Sequence, residues 1–101
     1  MSFVHRWSGD YFGWIYHGDL YTKDGRHVGR LKGREVYGLK GGYIGELREH
    51  RLIASNAKAD RRWIGFIQNM RMASMATVNP SDLEPLDLPD GFDDFPSPDA
   101  L

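Results

Sequence analysis

Apolar positions in the first 73 residues come in short bursts separated by turn-forming pairs, and the bursts repeat. The tetrads FGWI (residues 12–15), VGRL (28–31), IGEL (44–47) and IGFI (64–67) place glycines at 13, 29, 45 and 65, spaced by 16, 16 and 20. Aligning on Gly13, Gly29, Gly45 and Gly65 brings further columns into line. Two before each glycine stands a ring (Tyr11, His27, Tyr43, Trp63), and one before stands an apolar residue (Phe12, Val28, Ile44, Ile64). Two after stand Ile15, Leu31, Leu47 and Ile67, seven after Leu20, Val36, Leu52 and Met72, and eight after Tyr21, Tyr37, Ile53 and Ala73. Three units are strong and the fourth is degenerate.

Within a unit, four or five residues rich in β-branched and aromatic types are followed by a two-residue break and a second apolar pair, the signature of a tight β-hairpin. His17-Gly18 suits a turn with positive φ at its second position, and Gly33-Arg34 places glycine first; Glu49-His50 and Asn69-Met70 lack it. Lys23-Asp24-Gly25-Arg26 and Leu39-Lys40-Gly41-Gly42 supply turns between units, while the third junction, residues 54–62, is four residues longer and reads as a loop with one helical turn. Gly9, Gly25 and Gly41 keep the 16-residue step, so residues 3–5 fall where residues 19–21 fall one unit later. The N-terminal segment therefore reads as a displaced second strand that closes a ring beside the last unit, removing open edges. Glycine is costly inside helices, and 12 glycines in the first 91 residues exclude a helical body. The expected fold is all-β, with about eight or nine short strands in four hairpin repeats of pseudo-four-fold symmetry, mini-propeller-like. A glycine recurring mid-strand implies a bulge or a close backbone approach, here expected from strands converging on a shared axis.

The run of FGWI, GDLYTKDGRHVGRL, GREVYGLKGGYIGEL and HRLI resembles the bacterial four-fold β-flower proteins, four hairpins around a pseudo-four-fold axis, over residues 3–73. The resemblance implies a fold and no established activity; the long third junction and Met70, Met72 and Ala73 of the fourth unit depart from the pattern.

Length and charge divide the chain. The 101 residues fit one small core, assigned to residues 1–78, and the absence of cysteine excludes disulfides and thiolate metal sites. The net charge of −1 combines about +6 on residues 1–78 with −7 on residues 79–101, which carry seven acids, no base and all five prolines. No signal-like start and no run of 18 apolar residues occurs, so a cytoplasmic location without membrane contact is expected.

Motifs for phosphate loops, nucleophile elbows and zinc proteases are absent, and KDGRH matches a calcium loop only at its start. His5, His17, His27 and His50 are expected as surface or turn residues, and Asp19 and Glu35, sharing one column, as solvated hairpin positions; catalysis, cofactor and metal are not expected. The ring column Tyr11, His27, Tyr43 and Trp63, interleaved with Arg26, Arg30, Lys32, Arg34, Arg61 and Arg62, is the pattern of a single-stranded nucleic-acid or polyanion surface. The favoured reading is that the rings cover a small core.

The segment 79–101 is expected to be disordered alone, with Leu83, Leu86, Leu88, Phe92 and Phe95 as anchors for a partner. It reads as a solubilising tail, as a motif that orders on a partner, or as an acidic strand lying on its own basic body. The function expected first is a non-catalytic interaction or scaffold module, with a protein partner or self-association as a homo-oligomer, and second a nucleic-acid binder masked by the tail.

Overall fold

The computed structural model describes residues 1–63 and 79–101. Its strands are β1 (Ser2–Arg6), β2 (Tyr11–Tyr16), β3 (Asp19–Thr22), β4 (His27–Lys32), β5 (Glu35–Gly38), β6 (Tyr43–Arg48), β7 (Arg51–Ser55) and β8 (Phe92–Asp94). Neighbours from β1 to β7 pair antiparallel in chain order, and β1 also pairs parallel with β7 through His5 opposite Arg51 and Arg6 opposite Leu52. The protein is all-β, a closed mixed barrel of seven strands plus β8, which adds antiparallel to β7. There is no α-helix among the described residues. The ring closes with β1 against the third unit rather than the fourth, whose tetrad, Gly65 and turn lie outside the described residues.

Local sequence sets the turns. The β2–β3 turn takes positive φ at both His17 and Gly18, and the β4–β5 turn at Gly33. The β6–β7 turn has no glycine and places Glu49 at φ +56° instead. Between units the same device recurs every 16 residues. The amides of Gly9, Gly25 and Gly41, all at positive φ, donate to the carbonyls of Arg6, Thr22 and Gly38 at 2.9 Å. Each turn is preceded by a register shift, at Val4/His5, Leu20/Tyr21 and Val36/Tyr37, so one bulge is repeated around the barrel. The long third junction continues β7 to Ser55, makes a 3₁₀ turn at Asn56–Lys58 and returns Arg62 opposite Gly42.

The core is made by the repeat columns. Val4, Leu20, Val36 and Leu52, 16 apart, are fully buried with Phe12 and Val28, and Ile15, Leu31, Ile44 and Leu47 pack against them. Val4, Leu20 and Val36 stand opposite Gly13, Gly29 and Gly45 on the neighbouring strand. A β-carbon at these glycines would lie 1.9 Å from the Tyr21 carbonyl oxygen, 2.9 Å from that of Tyr37 and 2.7 Å from that of Ile53. The close approach expected from the sequence is present at all three, but its cause is different. Each glycine meets a carbonyl of its own hairpin partner strand rather than strands meeting on an axis.

The acidic segment departs from the expectation of disorder. Its Phe95 is fully buried within the core cluster, its ring 5.2 Å from that of Phe12 and perpendicular to it. Upstream, the segment crosses the barrel end on main-chain bonds from Leu83 to Gly9 (2.8 Å) and Leu86 to Trp7 (3.3 Å). Asp82 accepts from the Tyr11 amide, and Asp94 from the Trp7 amide, both at 2.8 Å. Of the three sequence readings, the acidic strand lying on its basic body matches the structure. The reason is that the barrel alone leaves a core position unfilled, and a segment with few apolar groups orders when one is an aromatic plug.

Candidate functional site

The ring column packs against its neighbours. Tyr11, His27 and Tyr43 are buried, and each pairs across a bulge with a ring of the preceding strand: His5 with Tyr11 at 5.5 Å, Tyr21 with His27 at 5.3 Å, Tyr37 with Tyr43 at 6.1 Å. Trp63 sits edge-on to Tyr37 at 5.8 Å, with the Lys32 ammonium 5.5 Å from its centroid. These rings form a packed layer, not a displayed rim. His5 and His27 are buried, unlike the expected surface histidines; Asp19 is buried too, its carboxylate 3.3 Å from His27 and 3.7 Å from Arg30. His17 and His50 are exposed. No cluster of His, Asp and Glu suited to a metal occurs among the described residues.

Three of the ten candidate ligand residues are brought together. Arg26, Tyr43 and Arg62 line an open cleft of about 420 Å³ with Lys40, over a floor that includes Val28, Leu39 and Ile44. Gly38 and Gly42 keep this floor low, and Leu101 forms one end. Arg26 donates to the carbonyl oxygens of Pro98 and Leu101, both at 2.7 Å, and Arg62 to that of Lys40 at 2.7 Å. The Arg62 guanidinium lies along Gly41 and Gly42, 3.6 Å from where a Gly42 β-carbon would be, an ordinary contact distance. The Lys40 side chain is exposed. Sequence spacing separated these cations by 14 and 22 residues and gave Lys40 no weight. Only the turn at Gly41, beside the Gly42–Arg62 bridge, brings them to one rim.

A second polar group is not legible in the sequence because it depends on register. Glu35 and Glu46 stand directly opposite on β5 and β6, a like-charge pair that is unfavourable alone. The third junction delivers cations to it: Lys58 lies 2.9 Å from Glu46 and 3.4 Å from Glu35, and Arg61 2.6 Å from Glu35. Tyr37 donates to Glu35 at 2.7 Å, and Tyr43 to Glu46 at 2.8 Å while accepting the Ser55 amide. The Tyr37 hydrogen bond chiefly holds the Glu35 carboxyl below its usual range, with Arg61 and Lys58 adding to it. Burial opposes ionisation of Glu46, but the bonds from Lys58 and Tyr43 outweigh it and lower its pKa as well. Burial pushes the Tyr43 hydroxyl far up. Each carboxylate is bonded to a tyrosine and paired with Lys58, so the group braces the junction.

The remaining candidates are dispersed. Arg30 and Arg34 are exposed on the β4–β5 hairpin, outside the cleft. Leu83, Leu86 and Leu88 are each about 45% exposed, at 44%, 46% and 46%, on the strap over Trp7. Phe92 is half-buried beneath the Arg48 guanidinium, 4.3 Å from its ring centroid. Leu83 and Leu86 edge a second cleft of about 380 Å³ with Trp7, His50 and Arg51. No helix among the described residues is long and apolar enough to cross a membrane. Compared with known proteins, the chain matches no family model, no curated protein and no solved structure.

Proposed function

We propose that the protein is a non-catalytic interaction module, with the barrel as scaffold and the acidic strap as its contact for another protein. The observation that carries this is a row of leucines left out of a core that needed apolar residues. Leu83, Leu86 and Leu88 stay nearly half exposed although the strap bearing them is fixed to the barrel by main-chain bonds and by the Trp7 indole, which donates to the Asp87 carbonyl at 2.9 Å. An extended segment already ordered loses little conformational entropy on docking, so exposed apolar groups on it convert efficiently into affinity. The Glu35 and Glu46 carboxylates, held by tyrosines and cations, and the buried rings support the non-catalytic reading.

The three hairpins at a 16-residue step support, as part of the same proposal, a kinship with the β-flower scaffolds, which carry no established activity. The nucleic-acid reading keeps exposed Arg30, Lys32, Arg34, Arg61 and Arg62 but loses Tyr11, His27 and Tyr43 as stacking rings, since these are buried, and is the weaker one. A photo-crosslinking residue at position 86, compared with one at exposed Lys23, tests the proposal in the source cells. A protein adduct specific to position 86 supports it, provided the purified adduct partner loses binding to a Leu83→Ser, Leu86→Ser, Leu88→Ser variant. Equal labelling at both positions contradicts it.

A further inference from the structure

We infer that the cleft between Arg26, Lys40 and Arg62 binds small amphipathic anions: an acidic head on an apolar body, such as an acyl or aryl carboxylate. The inference is independent of the strap and its leucines. Three features of the cleft lead to it.

The first is size and depth. At about 420 Å³ the cleft lies within the range of small-molecule sites, and its floor of Val28, Leu39, Ile44 and the Tyr43 ring is mostly apolar. Gly38 and Gly42 in the floor let a ligand reach the main chain.

The second is charge. Three cations and no Asp or Glu stand among its described lining residues, in a protein whose net charge is −1. Some basic groups elsewhere on the barrel meet acids, Arg6 with Asp10 and Asp94, Arg30 with Asp19, Lys58 and Arg61 with Glu35. Lys40 has no such partner among the described residues. A positive rim over a low-dielectric floor focuses potential on an anionic group placed there.

The third is preorganisation. Arg26 and Arg62 are already held by main-chain oxygens, Arg26 on Pro98 and Leu101 and Arg62 on Lys40, so their forks are fixed before a ligand arrives. A guanidinium has five N–H donors, and these bonds occupy two on Arg26 and one on Arg62, leaving donors for a carboxylate. The apolar body selects against inorganic anions, and the rim against neutral or cationic amphiphiles.

The test is a titration of the full chain with octanoate, followed by amide chemical shifts, beside octanol, octylammonium and a short oligothymidylate. The expected result is saturable shifts at Gly38, Gly42 and Ile44, with octanoate binding about tenfold or more tightly than octanol or octylammonium. Lys40→Glu, at an exposed side chain with no structural bond, is expected to weaken octanoate about tenfold while the spectrum elsewhere is unchanged. Equal binding of octanol overturns the role of charge, and no saturation by about 10 mM octanoate overturns the site. Tighter binding of the oligothymidylate at the same amides overturns the small-anion class in favour of nucleic acid.

Discussion

The Phe95 ring occupies the space that a side chain on Gly45 would need: a β-carbon there would lie 2.4 Å from Cδ1 of the ring and 2.6 Å from Cε1. Residues 50 apart in the chain are thus shaped to each other. The barrel strand gives up a side chain so that the acidic segment can supply one.

This pairing predicts that the C-terminal segment is a stability element. Phe95→Ala is expected to cost about 3 to 5 kcal/mol, the range for emptying a buried aromatic site. Gly45→Ala, which collides with both the ring and the Ile53 carbonyl, should cost more than about 1 kcal/mol. Urea denaturation measures both. A change within about 0.5 kcal/mol for Phe95→Ala would mean that the ring is not in the core.

The opposed carboxylates predict a pH dependence with a definite sign. Glu35 and Glu46 have lowered pKa values in the folded protein, so they bind protons less readily there than in the unfolded chain. Their contribution to stability is present above the unfolded glutamate value, about 4.3, and is lost as pH falls through the lower folded values. Lys58→Met removes the shared cation and leaves two facing acids, with an expected cost of about 1 kcal/mol near neutrality. Because protonation relieves that repulsion, the difference from wild type should shrink at acid pH. Denaturation midpoints at neutral and acid pH decide; a difference that grows in acid contradicts the network.

The turn at Glu49 carries backbone strain that Gly33 relieves at the equivalent place one unit earlier and that His17, at φ +51°, shares. Its φ of +56° lies in the left-handed region that side chains other than Asn and Asp rarely adopt. Glu49→Asn is expected to raise stability by about 0.5 kcal/mol, read from the shift in thermal midpoint. A destabilised variant would place the turn in another conformation.

The repeat made much of the fold legible. Strand positions, the turn glycines and the core column Val4, Leu20, Val36 and Leu52 all follow from one 16-residue step, because local turn chemistry and the alternation of buried faces are encoded locally. The role of residues 79–101 was not legible, because composition describes how a segment behaves alone, whereas Phe95 is ordered by a vacancy that the barrel creates. The rim of Arg26, Lys40 and Arg62 was legible only in part, since residues distant in sequence meet through the turn at Gly41 and the Gly42–Arg62 bridge. The sequence left the rings between cover for a small core, the favoured reading, and a displayed surface; bulges at Val4/His5, Leu20/Tyr21 and Val36/Tyr37 set Tyr11, His27 and Tyr43 against the rings of His5, Tyr21 and Tyr37.

The central claim is that residues 81–101 are built into the barrel as strap, strand and plug. Backbone ¹⁵N relaxation with amide hydrogen exchange on the full chain tests it most directly. The account predicts order parameters of about 0.8 or above at residues 92–95, and exchange protection of the β8 ladder comparable to that of β7. Order parameters below about 0.6 across residues 81–101, with unprotected amides, would contradict it.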